Sequence, residues 1–232
     1  MNGILDRLTR IFQFRFKDRV SAANILAEAL RDNIKKEEQS SLLILGIPRG
    51  GVITAGIIAK KLSAPLDIII PRKLTDPDNK EHAIGAIMED GTTFLDQELI
   101  KFLSISEDYL AKEKAYQIGE IRRRNLLYRK SAPGYNFQDK TVVLVDDGAA
   151  TGATVIVAAR WIRKQPNKPK RLIIALPVTS KETAMLLQKE CDTLEIVMKP
   201  SSGFRAVAQY YKDFNQISDD EVKQIIQNRN IR

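Results

Sequence analysis

Residues Val142-Val143-Leu144-Val145-Asp146-Asp147-Gly148-Ala149-Ala150-Thr151-Gly152-Ala153-Thr154 carry the chemistry of this chain. Two neighbouring acids repel each other, so they favour a partner that brings cations or donors, such as sugar hydroxyls and Mg²⁺. Gly148, Ala149 and Ala150 leave the backbone uncovered for close approach. Thr151, Gly152, Ala153 and Thr154 then open a helix, whose unpaired N–H groups and positive dipole end suit a phosphate. The two threonine hydroxyls add donors. In this order the residues make a site for a ribose bearing a 5′-phosphate. Either half alone is a weak signal, and the plain alternative is a strand, a turn and a capped helix. No Gly-Lys-Ser/Thr ends the run, so it is not a Walker loop.

The acids need elements to hold them. Val142 to Val145 is apolar on both faces, as in a strand covered by helices. Asp146 and Asp147 follow its C-terminal end, where open α/β sheets bind ligands. A second strand, Leu42 to Ile47, runs into Pro48-Arg49-Gly50-Gly51 and a helix from Val52 to Leu62. There Gly50 and Gly51 expose N–H groups, and Arg49 offers a fork of donors for phosphate oxygens. An ordinary βα turn is the alternative. Leu66 to Ile70 predicts the next strand, with Pro71-Arg72-Lys73 directly after it and a polar loop from Leu74 to Glu81.

Asp18 predicts the cap of a helix over 19–35. Ala83 to Met88 and Thr92 to Leu95 read as a hairpin around Glu89-Asp90-Gly91. Glu98 to Arg129 reads as one or two helices, the second capped by Ser106. Strand Arg171 to Val178, helix Lys181 to Lys189, strand Leu194 to Met198 and a final helix from Asp219 complete the chain. Strands alternating with helices predict an α/β fold, with a mostly parallel twisted sheet flanked by helices and right-handed crossovers. One domain over 1–232 is expected: a core at 16–74 and 140–200, an insertion at 75–139 and a small C-terminal tail at 200–232.

The 232 residues are 44% hydrophobic and 28% charged, which suits a globular chain with a sizeable core. No run approaches a membrane span, and the N-terminus lacks the pattern of a signal peptide. A lone cysteine, Cys191, excludes an internal disulfide framework, fits a reducing cytoplasm and reads as packing. One histidine, His82, and no cysteine cluster argue against zinc. The net charge of +8 suits either a strongly anionic small ligand or nucleic acid. Its clusters, Arg122-Arg123-Arg124 with Arg129 and Lys130, and Arg163 to Arg171, are ordinarily solvated faces. Met1 to Phe14 is amphipathic and suits packing on the domain, a partner contact or a membrane anchor.

The run from Val142 to Thr154 resembles the phosphoribosyl pyrophosphate (PRPP) signature of the type I phosphoribosyltransferases. A looser resemblance extends over 16–214. It is most similar to a group of uncharacterised bacterial and archaeal members with a Phe-x-Asp-Arg start (Phe16 to Arg19), a Pro-Arg-Gly-Gly loop (Pro48 to Gly51) and a Tyr-Tyr-x-Asp-Phe segment (Tyr210 to Phe214). The resemblance implies Mg²⁺-dependent transfer from PRPP to a small nitrogenous base, with release of pyrophosphate. It places Asp146 and Asp147 as the catalytic acids on the ribose hydroxyls and on Mg²⁺, the metal being held mainly through PRPP. Gly148, Ala149, Ala150, Thr151, Gly152, Ala153 and Thr154 would take the 5′-phosphate. Arg49, Gly50 and Gly51 would take pyrophosphate, in a loop that often holds a cis peptide in the family.

Arg72 and Lys73 would contact pyrophosphate or substrate, with a solvated pair as the alternative. Lys80, Glu81 and His82 fall in the family's closing loop, where a lone surface histidine is ordinarily incidental. A hood over the base would come from the N-terminal segment, Lys199 to Arg205 or the tail. There Phe204 would stack on the base and Arg205 contact ligand, unless they are core; Tyr210, Tyr211 and Phe214 read as packing. The 6-oxopurine enzymes carry an Asp where this chain has Ala150, which argues against hypoxanthine or guanine. Adenine-like, pyrimidine-like and unusual acceptors stay open. Relatives imply a homo-oligomer. Two other readings of the fold are a PRPP- or nucleotide-sensing regulator that binds nucleic acid, for which no helix-turn-helix or RNA-binding signature is present, and a phosphorylase-like activity.

Overall fold

A computed structural model describes residues 15–80, 82–129 and 134–228. The amphipathic stretch Met1 to Phe14, Glu81 of the loop and Lys130 of the first basic cluster lie outside the described residues. Five strands form the main sheet: β1 (Leu42–Gly46), β2 (Leu66–Ile68), β6 (Thr141–Val145), β7 (Arg171–Val178) and β8 (Thr193–Met198). Their order is β2-β1-β6-β7-β8, and every pairing is parallel. The register sets Gly46 beside Val145, and Val145 beside Ala175. The chain therefore leaves β1 and β6 at one level, and the turns after them meet.

β6 alternates between two cores, as a strand covered on both faces must. Val143 and Val145 pack with Leu26 of α1 (Arg19–Asn33) and with Val52 and Ile58 of α2 (Gly50–Lys61). Val142 and Leu144 pack with Ala158 and Ile162 of α5 (Ala153–Lys164). The amphipathic α7 (Asp219–Asn228) adds Val222 and Ile226 to the first core. Asp18 caps α1, accepting from the Ser21 amide at 2.7 Å while its own amide donates to Ser21 Oγ at 3.0 Å. The α/β architecture with a parallel sheet is as the alternating pattern predicts.

The insertion differs from the expectation in one respect. The hairpin is present as β4 (Ala83–Ile87) and β5 (Thr93–Leu95), followed by α3 (Gln97–Phe102) and a long α4 (Glu107–Arg129), whose start Ser106 caps. Arg72 to Thr75, however, form a third strand, β3, antiparallel to β4. They belong to this second sheet rather than to a loop, which begins only at Asp76. Leu74 is fully buried and supplies the apolar contact that holds the strand. Among the described residues, no helix is long and apolar enough to cross a membrane.

Asp18→Ala removes the helix cap and is expected to cost about 1 kcal/mol, lowering the melting temperature by about 2–4 °C in a calorimetric scan. Burial pushes the Cys191 thiol up to about 11, and its sulfur donates to the Leu187 carbonyl at 3.4 Å. Iodoacetamide should alkylate it about 100-fold more slowly in the native protein than in the unfolded chain, because only the thiolate attacks.

Candidate functional site

β6 is buried throughout, and the chain turns sharply as it leaves the sheet. The Asp147 amide donates to Asp146 Oδ1 at 2.8 Å. Gly148 has φ of 151°, and a Cβ there would lie 2.6 Å from Val207. The turn is then tied to the end of β7 and the start of α6 (Lys181–Leu187). The Ala149 amide donates to the Val178 carbonyl at 3.0 Å. Thr179 Oγ1 donates to the Ala149 carbonyl at 2.8 Å, and Thr183 Oγ1 to the Ala150 carbonyl at 2.6 Å. Gly152, left-handed at φ of 77°, is the N-cap of α5 and offers no side-chain acceptor. The Ala153 amide reaches Thr151 Oγ1 at 3.4 Å, and the positive end of the helix suits an anion.

The Pro48 to Gly51 turn comes against the acids from the other side. The Pro48–Arg49 peptide is cis. A Cβ on Gly50 would fall 1.8 Å from Asp147 Oδ2, and one on Gly51 would fall 2.7 Å from Asp146 Oδ1. Only glycines permit this approach. The Arg49 side chain turns elsewhere, with its Nη1 3.8 Å from Asp219 Oδ1 at the start of α7. Asp219 also accepts from the Tyr128 hydroxyl at 2.6 Å, and burial pushes that phenol up to about 12.

Burial raises the Asp146 carboxyl well above the usual carboxylate range, and the Asp147 charge beside it adds to the shift. Burial also raises Asp147, against the opposing pull of Arg19. Arg19, the first residue of α1, donates from Nε to Asp147 Oδ2 at 2.6 Å. Its Nη1 donates to the Asn215 carbonyl at 2.7 Å, and its guanidinium lies 3.8 Å from the centre of the Phe214 ring. The Tyr211 hydroxyl donates to the Asp147 carbonyl at 2.6 Å. The Phe-x-Asp-Arg and Tyr-Tyr-x-Asp-Phe segments are joined by backbone bonds, from the Phe16 amide to the Tyr210 carbonyl and from the Lys212 amide to the Phe16 carbonyl, each 2.8 Å.

Arg19 and Tyr211 are the residues that sequence reasoning missed. Both lie in segments singled out for their motifs, but a helix start and aromatic packing were sufficient local explanations for them.

β3 separates the Arg72 and Lys73 pair. Arg72 donates from Nε to Gln117 Oε1 of α4 at 2.8 Å and faces that helix. Lys73 is exposed, and its positive charge slightly opposes the upward shift of Asp146. Lys80 reaches the Tyr109 hydroxyl at 3.4 Å, and His82 lies 3.7 Å from Asp76. Neither reaches the acids. Phe204 and Arg205 border a cavity of about 380 Å³, together with Ala150, Thr151, Ser180 and Glu182. Phe204 stacks on Tyr210 with ring centres 5.1 Å apart, while Arg205 is exposed. The structure therefore brings together Asp146, Asp147, Gly50, Gly51 and the Gly148 to Thr154 turn, with the cavity beside Thr151. It does not bring the Arg49 and Arg72 side chains to the acids.

The fold and the chain both have relatives. Protein TT1426 of Thermus thermophilus superposes with a TM-score of 0.73 at 34% identity, covering 93% of this chain and 99% of that one. A Mycobacterium tuberculosis protein named "Putative phosphoribosyl transferase Rv0571c" is 33% identical over 207 residues, 89% of this chain. The match takes up 45% of that relative, so the chain spans about half its length. The phosphoribosyl transferase domain family matches residues 17–214, from the start of the segment that delivers Arg19 to Phe214 beneath its guanidinium. The chain belongs to the phosphoribosyl transferase domain family.

Proposed function

We propose that this protein transfers a phosphoribosyl group from PRPP to a nitrogenous base and releases pyrophosphate. The observation that carries the reading is the juxtaposition of three features. The two carboxylates leave β6 within contact of the Gly50 and Gly51 backbone, and the glycine-capped start of α5 lies one turn further on. A sugar phosphate with a second phosphate group at C1 needs those three neighbours. Asp146 meets the ribose hydroxyls. The Gly148 to Thr154 turn holds the 5′-phosphate through backbone amides and the Thr151 and Thr154 hydroxyls. The Gly50 and Gly51 backbone faces pyrophosphate, with Lys73 supplying a positive charge on the Asp146 side.

The acceptor occupies the cavity bordered by Phe204 and Arg205. Its ring nitrogen attacks C1 as the bond to pyrophosphate breaks. Fixing the two reactants in line supplies most of the rate, and the acids favour the positive charge that builds on the sugar. Ala150 leaves the edge of that cavity without the acid found in 6-oxopurine enzymes. Mg²⁺ suits the site because its donors are hard oxygens. No cluster of three acids, histidines or cysteines exists among the described residues, so the ligand's own phosphates would hold most of the metal, with Asp146 and Asp147 beside it. When bound, Mg²⁺ neutralises the leaving group.

The enzyme reading is favoured over a nucleic-acid-binding regulator by the pairing of the basic clusters. Arg123 is bonded to Glu120, Arg129 to Asp67, Arg163 to Asp192 and Arg171 to Glu38. Those four guanidinium groups have partners within the protein, and no nucleic-acid-binding signature accompanies the clusters. We read the enzyme as a cytoplasmic homo-oligomer.

Titration calorimetry should detect PRPP binding in the presence of Mg²⁺, and chelation with EDTA should weaken it. Asp146→Asn should weaken binding by about 10- to 100-fold, the worth of a charge-assisted hydrogen bond. An absence of heat with the wild type would sink the assignment. A screen of nucleobases and ring amines for pyrophosphate release should identify one acceptor class, with hypoxanthine and guanine inactive.

A further inference from the structure

Asp147 is engaged by the protein itself. Its Oδ2 lies between two fixed neighbours, the Arg19 Nε at 2.6 Å and the Gly50 backbone, where a Cβ would come within 1.8 Å of it. The ion pair is nearly sealed from water, with side-chain exposures of 10% for Arg19 and 14% for Asp147. Arg19 is held in turn by the Asn215 carbonyl and the Phe214 ring. The Asp147 carbonyl is bonded to Tyr211. Arg19, Tyr211, Phe214 and Asn215 come from the first and last parts of the described chain and converge on one residue of the signature. Asp146 has no cation bonded to it among the described residues: its Oδ1 accepts the neighbouring Asp147 amide and lies against the Gly51 backbone, where a Cβ would come within 2.7 Å of it.

We propose that Arg19 is a positioning residue that locks the Asp147 carboxylate against the Gly50 turn and leaves Asp146 as the acid that meets the sugar. The two adjacent acids thus divide their work. One orients the turn after β1 and the phosphate loop relative to each other, and the other contacts ligand. A guanidinium suits the first task because its Nε and Nη1 donate along different directions from one rigid plane, so one side chain can tie Asp147 to the Asn215 backbone. A lysine keeps the charge but lacks the fork.

The inference rests on the reading of the site as a PRPP site, and a double-mutant cycle separates the two. Calorimetric affinity for Mg²⁺ and PRPP is measured for the wild type, Arg19→Met, Asp147→Asn and the double variant, with Arg19→Lys as the conservative control. Arg19→Met should weaken binding at least 10-fold and Arg19→Lys less. The double variant should be within twofold of the weaker single variant, because both changes remove one clamp. Losses that multiply, or an Arg19→Met affinity within twofold of the wild type, overturn the proposal. If the wild type itself shows no binding, the site reading fails and the proposal goes with it. Thermal melts accompany each variant. Should Arg19→Met fail to fold, the same cycle is run with Arg19→Lys, and the same lack of additivity is required.

Discussion

A carboxylate nearly sealed inside a protein needs a counter-charge, and here the Asp147 to Arg19 pair meets that need at the junction of three chain segments. The pair forms only where the turn after β1 comes against the end of β6, because Gly50 leaves no side chain between them. The register of the parallel sheet brings the two turns to one level. The segment around Tyr211 and Phe214 then closes over the guanidinium. Removing either partner would leave the other charge without compensation, a far larger penalty than the pair's net contribution to stability. The acids are thus part of the framework as well as of the site.

The parallel sheet explains why the ligand-facing groups share one edge. β1 and β6 both end there, and each is followed by a glycine-bearing turn before a helix begins. β7 ends there too, and its continuation at Thr179 fixes the turn after β6 through the Ala149 carbonyl. The insertion works differently. Its antiparallel strands stand Arg72 against α4 and leave Lys73 exposed, so an inserted sheet separates two adjacent cations.

Much of this was legible in the residue order. The strand, turn and helix of the signature follow from local chemistry: apolar residues on both strand faces, two acids, tiny residues, then hydroxyls. The hairpin at 83–95, the Ser106 cap and the helix from Asp219 were likewise read from neighbours in the chain. The third strand at Arg72 to Thr75 was not, since four residues with two cations match a loop as well as a strand, and their state depends on pairing with β4. Arg49 illustrates the same limit. Its turn follows β1 as read from the sequence, but its side chain lies 3.8 Å from Asp219, a neighbour far along the chain that local reading does not supply.

By itself the sequence determined the alternation of strands and helices, the acids at a strand end and the phosphate-suited helix start, because each depends on residues a few positions apart. The tertiary structure alone decided which acid is clamped and which is available. Arg19 lies 128 positions from Asp147 and 196 from Asn215. Nothing local to Arg19 distinguishes it from any cation at a helix start. Its role arises because the sheet register and the glycine turn leave one buried carboxylate within reach of one guanidinium.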